Sequence, residues 1–92
     1  MVDLNLMIEK LQAVTLAAEI YTVSPPIIQG GVNILNVDGI KLFQKMFSIR
    51  YKDEAWVVSI PVGQGVDRYR VSSEHDAVEM VISYYKDQQF IE

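Results

Sequence analysis

Cysteine is absent from this chain of 92 residues, and histidine and tryptophan occur once each. Without cysteine there can be no disulfide, no thiolate metal site and no thiol nucleophile, a composition that suits a reducing compartment. With a single histidine, His75, a histidine-rich metal centre is excluded and a Ser-His-Asp arrangement would have to use that one imidazole. No apolar run approaches the ~20 residues that cross a bilayer. The opening MVDLNLMIEKLQ lacks the basic region of a secretory signal and meets charge again at Glu9 and Lys10. The expectation is a soluble, cytoplasmic protein. A formal net charge of -4 argues against general nucleic-acid binding, which needs local positive charge.

Half of the residues are apolar, enough for one real core, and this length organises a single domain, residues 1–92. From Asp3 to about Ile20, Leu4, Met7, Ile8, Leu11, Val14 and Ala18 recur at three- and four-residue steps, which predicts an amphipathic helix capped by Asp3 and ending near Glu19. Pro25 and Pro26 then forbid helix. Phe47, Ile49 and Tyr51 alternate before a polar turn at 52–54, and Trp56, Val58 and Ile60 alternate after it, the pattern of a β-hairpin. GQG at 63–65 turns the chain into VDRYRV, a further strand with Tyr69 and Val71 inward and Arg68 and Arg70 outward. VNILNV reads as another strand, followed by the favoured turn Asp38-Gly39. IKLFQKMF fits either period and is read as a bulged strand.

Ser73, three residues before Asp76, opens a second helix whose buried stripe is Ala77, Val78, Val81, Ile82 and Tyr85. The expected fold is α+β: a four-stranded antiparallel sheet with N- and C-terminal helices packed on one face, in the order α-β-β-β-β-α.

Few residues invite chemistry. PPIIQGGVNI lacks the spacing and the lysine of a phosphate-binding loop and leads into a strand, so Gly30 and Gly31 are read as supplying positive φ or a bend. His75 lies in a helical first turn between Glu74 and Asp76, whose charges the helix dipole already explains. Ser72 and Ser73 suit capping, and Asp53 and Glu54 suit a polar turn. No catalytic residue, metal site or cofactor is expected.

Charge is segregated. The helical ends, 3–20 and 73–92, hold eight carboxylates against two lysines, whereas the middle holds six cations against four carboxylates. Strand parity puts Arg50, Lys52, Arg68 and Arg70 on the face opposite Phe47, Ile49 and Tyr51, a basic stripe on an open sheet. Tyr51, Trp56 and Tyr69 fall on the inner face, so the stripe lacks the aromatics on which bases stack. A second apolar stripe of Ala77, Met80 and Tyr84 widens the last helix and points to self-association as a homodimer. The favoured function is a non-catalytic protein-binding module: a small regulator, adaptor or inhibitor. Nucleic-acid binding through the basic face ranks second, and a small enzyme third.

Overall fold

The computed structural model describes residues 2–91. Its elements are α1 (Leu4–Ala13), β1 (Ala17–Thr22), β2 (Ile27–Gly31), β3 (Asn33–Val37), β4 (Ile40–Gln44), β5 (Phe47–Lys52), β6 (Ala55–Val62), β7 (Gly65–Val71) and α2 (Glu74–Asp87). The class is α+β, but the expected four-stranded sheet is replaced by a five-stranded antiparallel sheet, ordered β1-β2-β5-β6-β7, and a separate two-stranded arm, β3-β4.

The first difference arises at the end of α1. Asp3 caps the helix by accepting the Leu6 N–H at 3.0 Å, and Leu4, Met7 and Leu11 are buried, but the helix stops at Ala13 rather than near Glu19. Thr15 takes a left-handed φ of 69°, so that its N–H donates to the Gln12 carbonyl while the Leu16 N–H donates to that of Leu11. This is a Schellman ending, with buried Leu16 packed toward Leu11 and threonine where glycine is usual. Residues 17–22 are thereby released into β1, an edge strand to which Ala18 and Ile20 contribute core-side positions. α2 ends in the same way: Gln89 has φ 61°, and the Phe90 N–H donates to the Tyr85 carbonyl. The two rings meet edge to face at 5.6 Å.

The second difference is the arm. Lys45, at φ 52°, breaks the expected bulged strand into β4 and β5. The arm then pairs only with itself, Leu35 opposite Leu42 and Val37 opposite Ile40 across the left-handed Asp38-Gly39 turn. Its two ends meet beside Gly31, where the Val32 N–H donates to the Gln44 carbonyl at 2.8 Å. Lys41 also binds Glu19 at 2.9 Å. These approaches explain the double glycine. Neither Gly30 nor Gly31 has positive φ, the first of the two expected roles, and the chain bends just after them, at Val32. A Cβ on Gly30 would overlap the Ala17 carbonyl and the Phe47 ring, and one on Gly31 would overlap the Gln44 carbonyl.

One core gathers the buried residues of both helices with the alternating residues Ala18, Ile28, Phe47, Ile49, Trp56, Val58 and Ile60 of the sheet. Tyr85 is its largest fully buried member. The Tyr85 hydroxyl donates to the Lys45 carbonyl, and burial, reinforced by the neighbouring Tyr84, pushes its phenol well above the ordinary value.

Candidate partner-binding sheet face

On the side of the sheet away from this core, the register aligns β5, β6 and β7 in rows. Arg50, Val57 and Arg70 form one row, and Ser48, Ser59 and Arg68 the next. Lys52 stands opposite Ala55. Two strand spacings put Arg50 and Arg70 about 10 Å apart at the backbone, with Val57 between them as an apolar floor. Side chains must point this way because their neighbours Ile49, Val58 and Trp56 are committed to the core, and parity leaves no other choice.

Arg50, Lys52, Arg68 and Arg70 line one concavity of about 500 Å³, with Met46 and Val66 at its margin and Ser48 and Ser59 on its floor. All four cations are exposed. Asp53 is the one carboxylate residue in this lining. Arg70 donates to the Asp53 main-chain carbonyl at 3.4 Å, which orients the guanidinium without neutralising it. Among the described residues the salt bridge formed is Lys41 with Glu19, so none of the four cations has a carboxylate within bonding distance. Such a surface can attract and hold carboxylates or phosphates, with bidentate geometry available from each arginine.

The aromatic residues divide differently from expectation. Trp56 is 3% exposed and packs edge to face on Tyr51 at 5.2 Å. Tyr51 and Tyr69 do have core-side parity, Tyr69 standing opposite Val58, but they remain 36% and 43% exposed. Core-side parity did not ensure burial. No tyrosine or tryptophan lines the basic concavity, and Phe47, which touches its rim, is a core residue.

The other expected site separates into two parts. Ala77 is fully buried in the core of the single chain, which corrects its assignment to a self-association surface. Met80 and Tyr84 are partly buried, and the Tyr84 hydroxyl donates to the Pro61 carbonyl. Both line a second, broader concavity of about 980 Å³ between α2 and β7, together with Ile60 and Tyr69. Glu54, Asp76, Glu79 and Asp87 surround it, with Arg70 as the one cation in its lining. Sequence reasoning missed this acidic concavity. Its signal was the spacing 76, 79, 80, 83, 84 and 87, which marks one face of a helix.

His75 is exposed, and the described residues contain no group of three or more acidic or histidine side chains placed to hold a metal ion. Among those residues no helix is long and apolar enough to cross a membrane. The chain matches no protein-family model, no curated protein and no solved structure.

Proposed function

We propose that the protein is a non-catalytic binding module, a small regulator, adaptor or inhibitor, whose basic sheet face docks an acidic segment of a protein partner. In this reading both helices cover the core side of the sheet and leave the opposite side free. The observation that carries it is the placement of Arg50, Lys52, Arg68 and Arg70 in one concavity without carboxylate partners. The lack of stacking aromatics there favours a protein partner over a nucleic acid. Met80 and Tyr84 are the residues left for the self-association reading.

The test is a fluorescence-anisotropy titration with an oligoglutamate peptide, single-stranded DNA and duplex DNA, each at low and at physiological salt. The peptide should bind wild-type protein, and Arg68→Glu combined with Arg70→Glu should weaken binding mainly by slowing association. Thermal unfolding of that double variant should stay within ~0.5 kcal/mol of wild type, because exposed charges contribute little. Binding of an oligonucleotide but not the peptide, persisting at physiological salt and lost in the double variant, would replace this reading with nucleic-acid recognition.

A further inference from the structure

β7 ends the sheet order and pairs only with β6, so its far edge is open. Six of its seven residues are exposed. The opposite edge strand, β1, is blunted: its register shifts between Ile20 and Thr22, and the arm is tied to it through Lys41 and Glu19. The pairing of β7 with β6 runs from Trp56–Val71 to Val62–Gly65 without interruption. Because the pair closing a two-residue turn is hydrogen-bonded, Gly65, Asp67, Tyr69 and Val71 direct their main-chain groups at β6. Val66, Arg68 and Arg70 therefore present N–H and C=O to the open edge.

The two concavities meet at this strand. On one side of it lies Arg68 with the basic concavity, on the other Tyr69 with the acidic concavity of Glu79 and Asp76, and Arg70 lines both. A strand laid along β7 would send alternate side chains into each. We infer that β7 accepts an added strand from the partner, and that this strand alternates acidic residues with lysine or arginine. The acidic side chains meet Arg68 and Arg70, while the cationic ones lay their apolar stems along Tyr69 and Met80 and reach Glu79. Main-chain hydrogen bonds supply affinity and the alternating charge supplies register, the division of labour found in β-strand addition. This inference rests on the acidic-segment reading above and specifies the conformation and pattern of that segment.

The experiment uses the whole chain and labelled octapeptides of one composition: strictly alternating Glu-Lys, a block isomer with all glutamates first, and two alternating versions N-methylated only at the glutamates or only at the lysines. Oligoglutamate is the reference. The alternating peptide should bind at least about tenfold more tightly than the block isomer, the scale of one or two well-formed hydrogen bonds. One N-methylated version should lose about tenfold or more and the other little, because in an added strand only every second residue turns its amide toward β7. Amide exchange at Val66, Arg68 and Arg70 should slow when the alternating peptide binds. Equal affinity of the alternating and block peptides, equal effects of the two methylation patterns, or unchanged exchange at those amides would overturn strand addition. If oligoglutamate still binds in that case, the acidic-segment reading survives alone. If no peptide binds, both fall.

Discussion

Two hairpins of this chain close on two-residue turns that begin with aspartate and hold both residues left-handed, Asp38-Gly39 and Asp53-Glu54. The β5–β6 hairpin behind the second turn is the centre of the fold, with Ile49 and Val58 paired and fully buried. The β3–β4 hairpin behind the first leaves Leu42 49% and Ile40 63% exposed. Their strands are comparably apolar, so apolarity does not decide which is central. Neighbours do: β5 is flanked by β2 and β6 is flanked by β7, while the arm has no third strand. A two-stranded hairpin has too little to bury on its own, and this one is held at its base by the close approach of Gln44 to Gly31 and near its tip by the Lys41–Glu19 pair. Turn chemistry differs in the opposite sense, since the peripheral turn carries the favoured glycine and the central one carries Glu54 at φ 62°.

The comparison can be broken most directly at Trp56. Trp56→Ala should destabilise by ~3–5 kcal/mol in denaturant titration, the range for deleting a buried large aromatic. A loss below ~1 kcal/mol would show that the central hairpin does not hold the core together. Glu54→Gly should act with opposite sign and raise stability by up to ~1 kcal/mol, because glycine relieves the left-handed strain that glutamate bears. Lower stability in that variant would mean that Glu54 makes a contact outweighing its backbone cost. The smallest effect belongs to the arm. Leu42→Ala should cost no more than ~0.5 kcal/mol, as expected for a half-exposed side chain with no third strand against it. A loss of ~2 kcal/mol or more in dilute protein would place the arm inside the cooperative core.

Where alternation or helical period was strict, the elements were legible in the sequence. Phe47, Ile49, Trp56, Val58 and Ile60 are all buried, and Ser73 caps α2 by accepting the Asp76 N–H at 3.0 Å. The failures have local causes. The sequence draws α1 too long because its stop is a threonine in a glycine-like conformation, and Ala18 continues the helical period into a stretch whose Ile20 and Tyr21 suit a strand. The sequence shows only four strands because 17–22 reads as helix, 27–31 reads as a connection, and 40–51 reads as one bulged strand, while nothing within VNILNV and IKLFQ says that they pair outside the main sheet. The double glycine reads in the sequence as positive φ or a bend; positive φ is absent, and what the pair supplies is room where other main chain and Phe47 come close, a demand set by residues distant in sequence. Parity alone sufficed to put the four cations on one face. It misled at Tyr69, because facing the core side is not burial where a strand lies beyond the cover of α2, and it gave no hint that acidic and basic surfaces share β7.

The buried phenol of Tyr85 makes the fold sensitive to alkali in a definite direction. An unfolded tyrosine ionises near pH ~10, whereas Tyr85 in the folded chain holds its proton to higher pH because the core disfavours the phenolate. The stabilisation linked to this proton is complete below pH ~10 and is lost progressively above it, as the unfolded state gains by releasing a proton that the folded state keeps. Since the Tyr85 hydroxyl binds the Lys45 carbonyl where the arm joins the sheet, ionisation would also remove the donor that ties α2 to that junction. In a spectrophotometric titration the last rise in tyrosinate absorbance should therefore coincide with the loss of helical circular dichroism, instead of preceding it within an intact protein.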